Sequence, residues 1–295
     1  MLIRPMTPAD THSARLLWNR SAEHDFLSGR LFEEKVSGEP TGATLLAEHE
    51  GSAVGLVVTA SDPAGERGFI KLQATLPEWR GRGVGSELLA AAEAALRQQG
   101  YRTVRIAESA PNYLTPGVDV RYESALRFYS QRGYQEIGRA QNLSVDLEQF
   151  EAARPSSTCV VPLDWKVRRA TDEDLDSLFA LLAAHWPSWR PEVSTSLRTS
   201  PGSVFVASHD NRVLGFAAYD GNNVGSGWFG PMGMSPEMRG QGVGQALLLQ
   251  TLHDMRTIGY RRAIIPWVGP VEFYERAVGA RASRQFVRLE KQLTD

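Results

Sequence analysis

Pro77-Glu78-Trp79-Arg80-Gly81-Arg82-Gly83-Val84-Gly85 returns 159 residues later as Pro236-Glu237-Met238-Arg239-Gly240-Gln241-Gly242-Val243-Gly244. Each copy follows a strand-like run and opens a helix. Val84, Leu88, Ala92 and Ala95 share one face of the first, and Val243, Leu247, Met255 and Ile258 the apolar side of the second. Glycine at a helix start costs up to about 1 kcal/mol relative to alanine, so three in close succession mark a place where something approaches the main chain. A helix start aims unpaired N–H groups and a positive dipole end there. The matching ligand is a phosphate or pyrophosphate, because charged hydrogen bonds of about 1.5–3 kcal/mol each offset the glycine cost.

Two further echoes flank the loop. Ile3-Arg4-Pro5-Met6-Thr7-Pro8-Ala9-Asp10 matches Val167-Arg168-Arg169-Ala170-Thr171-Asp172-Glu173-Asp174, each a short strand entering a helix, with Thr7 and Thr171 as N-cap candidates. Ala47 to Gly55 matches Ala207 to Gly215, each reading as a β-hairpin with a histidine, His49 or His209, at its turn. After the loop helices, Gly100 and Gly259 supply stops. Strands follow near Thr103–Ala107 and Arg262–Pro266, short helices at Ala125–Arg132 and Val271–Ala277, and last strands near Tyr134–Leu147 and Ala282–Lys291. One plan is written twice, and the spacing predicts domains at 1–152 and 164–295 joined by a Pro/Ser-rich linker at 153–163.

Composition narrows the function. In 295 residues, 42% are hydrophobic and 22% charged, enough for two packed cores. Thirty-two Lys and Arg against 34 Asp and Glu leave a net charge of -2, with no basic field for nucleic acid. The only cysteine, Cys159, allows neither an intrachain disulfide nor a cysteine-based zinc cage, and the six histidines lack ligand spacing, so no metal is expected. No apolar run reaches membrane-spanning length, and Met1–Asp10 has no secretory pattern. These features predict a cytoplasmic protein without a membrane or nucleic-acid partner.

The loop is neither of two familiar phosphate binders. A Walker loop requires Lys-Ser or Lys-Thr after its last glycine, where this chain has Ser86 and Gln245. A Rossmann site requires G-x-G-x-x-G, whereas Gly81, Gly83 and Gly85 alternate. Arg80-x-x-Gly83-x-Gly85 and Arg239-x-x-Gly242-x-Gly244, each between a strand and an amphipathic helix, instead resemble the acyl-CoA pyrophosphate loop of the GNAT acetyltransferase superfamily. Phe128-Tyr129 and Phe273-Tyr274 are similar to its second signature, in which a tyrosine faces the CoA sulfur.

The resemblance covers nearly the whole chain. It implies an α/β (α+β) fold class: two tandem GNAT-like domains, each a mixed, mostly antiparallel twisted sheet flanked by helices. It also implies an acetyl-CoA cosubstrate and direct transfer to a primary amine of a small molecule or peptide, in a monomer or homodimer. The cofactor would be held by Ala74, Thr75, Leu76, Arg80, Gly81, Arg82, Gly83, Val84, Gly85 and Ser86 in the first copy. In the second copy it would be held by Gly233, Met234, Ser235, Arg239, Gly240, Gln241, Gly242, Val243, Gly244 and Gln245. Tyr129 and Tyr274 would donate to the leaving sulfur.

A glutamate common on the strand before the loop is missing from Phe69–Gln73 and Trp228–Met232, leaving Glu108 as candidate base and Glu78 as a second. The asparagine often found six residues before the Phe is Tyr122 in the first copy and Trp267 in the second, and Pro270 replaces an alanine. The first copy alone has a long segment, Ser109–Asp119, where acceptor-pocket walls lie in the family, which favours it as the catalytic one. The alternative is a CoA-binding sensor or interaction module without turnover, and a third reading is a phosphate-binding scaffold unrelated to CoA.

Overall fold

A computed structural model describes residues 1–39, 42–62, 65, 67–149, 162 and 164–293. The linker read at 153–163, with Cys159, lies outside the described residues except for Pro162. Packing divides the chain into two compact units, Met1–Ala140 with Gln285–Asp295 and Gln141–Arg284. This differs from the contiguous halves 1–152 and 164–295 suggested by the repeat. A strand's alternating pattern specifies which face is buried but not which neighbour completes its ladder.

Unit 1 begins with β1 (Leu2–Pro5), α1 (Thr11–Ser21), and α2 (Gly29–Phe32) continued by a π-helical turn at Glu33–Ser37. Next come β2 (Thr44–His49), β3 (Ser52–Ser61), β4 (Gly68–Thr75), α3 (Val84–Gln98), β5 (Thr103–Ile106) and β6 (Val118–Asp119). The unit continues through α4 (Glu123–Ser130) into β7 (Gln135–Asp146), which runs on into unit 2. Unit 2 holds β8 (Trp165–Arg169), α5 (Leu175–His185), α6 (Arg190–Leu197), β9 (Val204–His209), β10 (Arg212–Tyr219) and β11 (Phe229–Met234). It then has α7 (Val243–Thr257), β12 (Arg262–Ile265) and α8 (Val271–Val278); β13 (Arg281–Gln292) returns the chain to unit 1.

Both helical entries carry the capping box anticipated at Thr7 and Thr171, closed by Asp10 and Asp174. In unit 1, β1, β2, β3 and β4 pair antiparallel, β4 and β5 parallel, and β5 with β13 antiparallel. In unit 2, β8, β9, β10 and β11 form an antiparallel sheet, and β12 pairs antiparallel with residues 143–146 of β7. α3 buries Val84, Leu88, Ala92 and Leu96 against the sheet. It lies close because Gly55 has no side chain: a Cβ there would stand 2.7 Å from Leu88.

One irregularity opens unit 1. Ile70 faces Thr59 and Leu72 faces Val58, so Lys71 is an extra residue, a β-bulge. Pairing of β4 with β5 also stops at Ile70, whose carbonyl accepts from Ala107 N–H at 2.8 Å. Ala107 and Glu108 then take positive φ, 60° and 32°, and turn the chain into the 109–119 segment. Beyond that point the β5-facing edge of Lys71–Thr75 lines a cavity.

Candidate active site

The cavity in unit 1 has a volume of about 770 Å³. One wall is the open edge of β4, another the turn before α3, and a third α4 with Tyr129. Gly81 and Gly83 hold φ of 74° and 87°, and open space surrounds the Cβ position of Gly81. A Cβ on Gly85 would touch the Phe128 ring at 3.4 Å and Thr75 Oγ1 at 3.5 Å. Among the described residues, the first donors of this helix start to meet a main-chain acceptor are Ser86 and Glu87 N–H, both on Gly83 O, at 2.9 and 3.1 Å. The donors ahead of them belong to a helix start, where no intrahelical acceptor is available.

Sequence-predicted residues come together here unevenly. Ala74, Thr75, Arg80, Gly81, Gly83, Val84, Gly85, Ser86 and Tyr129 line the cavity. Leu76 belongs to the core, and Arg82 lies outside the lining with its guanidinium over the Trp79 ring. Arg80 is braced by Thr75 O and Ser21 O at 3.3 and 2.9 Å.

Glu108 is placed differently from its predicted role as base. It is buried outside the lining, and both carboxylate oxygens are held, by Arg105 at 2.9 Å and by Arg288 at 2.8 and 3.0 Å. Its neighbours on β5 and β13 make it a structural counter-ion. Glu78 is on the surface, bonded to Arg20 at 2.9 Å and held below the usual carboxylate range by its own backbone N–H and that arginine.

Three cavity residues were missed in the sequence. Gln73 accepts the Tyr129 hydroxyl proton at 2.9 Å and donates to Gly85 O at 2.7 Å. Arg132 stacks on Phe128, 3.7 Å from the ring centroid, and donates to Ser86 Oγ. Lys71 pairs with Glu39 at 2.5 Å. Alternation along β4 could have flagged Gln73, which shares Thr75's face; the bulge that aims Lys71 leaves no such signal. Burial pushes the Tyr129 phenol well above its ordinary value and pulls the Lys71 ammonium down.

Unit 2 repeats the backbone of this site without the polar side chains of β4. Gly240 and Gly242 hold φ of 82° and 80°, Gln245 N–H meets Gly242 O at 3.0 Å, and Arg239 donates to Met234 O at 3.4 Å. Gly233 and Ser235 are buried, as is Val243 at the start of α7; Gln241 is exposed in the turn, and Gly244 lies in the first turn of α7. At the loop offset, however, Gln73 becomes Met232, Thr75 becomes Met234 and Lys71 becomes Gly230. Ala22, which lines the unit 1 cavity just after α1, is matched just after α5 by Trp186, whose ring lies 2.7 Å from the Cβ position of Gly233. Tyr274 is buried and raised to about 12 by that burial.

A sheet that parts beside a glycine-bearing helix start, with a phenol at its open edge, is the architecture of an acyltransferase. Residues 9–134 and 164–280 both match the model of the acetyltransferase (GNAT) family, and the chain belongs to that family, with the fold present twice. Among solved structures, the GCN5-related glucosamine N-acetyltransferase region of a fungal multi-domain GH3 β-N-acetylglucosaminidase superposes with a TM-score of 0.86 at 18% identity. That match covers 98% of this chain, which spans only 38% of the fungal one. A tandem GNAT protein from the clavulanic acid biosynthesis pathway gives 0.74 at 16% identity, covering 100% of this chain and 99% of the other. A GCN5-related N-acetyltransferase from Sphaerobacter thermophilus gives 0.73 at 19%, covering 99% and 95%. Identities this low establish the shared fold. No curated protein matches the chain. Among the described residues, no helix is long and apolar enough to cross a membrane.

Proposed function

We propose that the chain moves an acetyl group from acetyl-CoA to a primary amine of a small molecule or peptide, in the cytoplasm, and that unit 1 performs the reaction. The observation that carries this reading is the single cavity joining the glycine-bearing helix start, the open edge of β4 and the Tyr129 phenol. The residues fit the cosubstrate: main-chain N–H groups of Gly81–Gly85 suit a diphosphate, Gly85 keeps the approach clear, and the edge at Ala74 and Thr75 suits amide pairing as in strand addition. Bound there, acetyl-CoA supplies an activated thioester carbonyl.

The protein's own groups then have defined tasks. The Tyr129 hydroxyl, whose one proton goes to Gln73 Oε1 in the free protein, turns that proton to the departing sulfur. Full proton transfer from an ordinary phenol to a thiolate is already about 2 kcal/mol uphill, and burial raises the Tyr129 phenol further. It therefore acts as a hydrogen-bond donor that keeps its proton. Gln73 orients it. An alkyl amine, with a reference pKa of about 10.4, must lose a proton before attack. With Glu108 and Glu78 both outside the lining, that proton leaves through the cavity mouth to water.

Unit 2 is read as a non-catalytic companion, because Trp186 packs on Gly233 and methionines replace the polar groups. Calorimetric titration of the intact protein with acetyl-CoA tests both statements. One site is expected, lost in Gly83→Glu and retained in Gly242→Glu. Absence of binding overturns the transferase reading, and loss confined to Gly242→Glu overturns the choice of unit.

A further inference from the structure

We propose that Arg132 is a second anchor for the diphosphate of the acetyl donor, reaching it from the end of α4 beside the start of α3. This rests on the acetyl-transfer reading and adds a residue that sets affinity for the donor.

Arg132 lies two residues beyond α4, lines the cavity and is partly exposed. Its guanidinium carries five N–H donors. One goes to Phe128 O at 2.9 Å, capping the last turn of α4, and one goes to Ser86 Oγ. Three are left without a protein acceptor among the described residues.

The cation also lacks a counter-charge. Of the arginines lining the cavity, Arg20 pairs with Glu78 and Arg121 with Asp119. Arg80 and Arg132 have no carboxylate partner among the described residues, and their bonds place both beside the glycine-bearing turn. Two unbalanced cations next to a helix start, whose dipole end is itself positive, leave a local excess that an anion neutralises. Capping of α4 explains one donor of Arg132 and not this placement.

The Phe128 ring sets the geometry. The guanidinium lies 3.7 Å from its centroid, and the same ring stands 3.4 Å from the Cβ position of Gly85. One ring therefore packs beside both the cation and the second residue of α3, while Ser86, the third, accepts from the cation directly. An arginine stacked on an aromatic face keeps its edge for phosphate oxygens, which its planar fork meets two at a time. A diphosphate offers oxygens to both partners, the main-chain N–H groups of the turn and this edge.

Unit 2 supplies the contrast. Gly133 follows Tyr129 by four residues, whereas Gly279 follows Tyr274 by five, so Ala277 and Val278 bracket the position of Arg132, and Gln245 replaces Ser86. The unit read as silent has no arginine at that place.

The test titrates CoA and 3′-dephospho-CoA by calorimetry into the full chain at a series of salt concentrations. The proteins are wild type, Arg132→Met, which keeps an apolar stem over Phe128, and Arg132→Lys. Denaturant unfolding checks that each is folded, and Arg132→Gln replaces the methionine variant if that one is not. Arg132→Met should weaken both ligands alike by about ten- to a hundredfold. It should also flatten the salt dependence of binding, since a charged contact is gone. Arg132→Lys should keep the salt dependence and lose part of the affinity, because an ammonium lacks the fork.

Unchanged affinity in Arg132→Met overturns the proposal. Loss confined to CoA moves the contact to the 3′-phosphate and overturns the diphosphate assignment. Loss with unaltered salt dependence makes the arginine a packing residue and overturns it as well. The acetyl-transfer reading survives each of these, whereas failure of CoA to bind the wild-type protein overturns both.

Discussion

The Tyr129 hydroxyl donates to Gln73 Oε1 at 2.9 Å while Gln73 Nε2 donates to Gly85 O at 2.7 Å, so one amide links the phenol to the start of α3. The chain thereby fixes both ends of the reacting group's position with a side chain from β4. Tyr129→Phe should lower kcat by about a hundredfold with little change in acetyl-CoA affinity. Gln73→Leu should lower it by about tenfold, because the donor survives but loses its aim. Steady-state kinetics with calorimetry checks both, and equal activity of Tyr129→Phe and wild type would remove the phenol from the mechanism.

A second expectation concerns alkaline stability. Burial raises Tyr274 to about 12. The raised value means that the folded state keeps its proton after the unfolded chain has lost it near pH 10. The stabilisation is complete below that pH and is lost as pH climbs from about 10 to 12. Urea midpoints across this window should fall, and less steeply in Tyr274→Phe. Identical slopes would show that the phenol titrates alike in both states.

A third follows from Trp186. Its ring atoms lie 2.7 to 3.0 Å from the Cβ position of Gly233 and have no flexible end to yield. Gly233→Ala should cost about 1–3 kcal/mol by overpacking. In a Trp186→Leu background the penalty should largely vanish, since the two sites are coupled through one contact. Denaturant unfolding of the four variants in the cycle measures this, and an unchanged penalty would mean that the ring does not press on β11.

Glu108 provides the fourth. As the counter-ion of Arg105 and Arg288 it should be replaceable without loss of chemistry but with loss of stability. Glu108→Gln is expected to cost about 3 kcal/mol in unfolding free energy while kcat stays within twofold of wild type, a margin on the order of 0.4 kcal/mol. A large fall in kcat with unchanged stability would restore Glu108 as the base.

Much of this was legible in the residues. Gly83 and Gly242 marked helix starts because glycine alone accepts those left-handed conformations cheaply, and the structure places both there. Thr7 and Thr171 announced their turns through the aspartate three positions on. Gln73 was passed over because an amide announces no chemistry until its neighbours are known. The pairing of Glu108 was invisible because its partner Arg288 lies 180 residues away, beyond any local pattern. Lys71 escaped because a bulge breaks the alternation by which strand faces are read. Trp186 looked like an ordinary helix-end aromatic until Gly233 was found beneath it.

The return of Gln285–Asp295 to unit 1 has a bearing on biosynthesis. Glu290 and Lys291 of β13 lie beside Arg105 and Val104, and Arg288 neutralises Glu108. Residues 285–292 have to be made before residues 1–140 gain the strand that pairs with β5. A nascent chain stalled anywhere earlier would expose the flank of β5 to the cell.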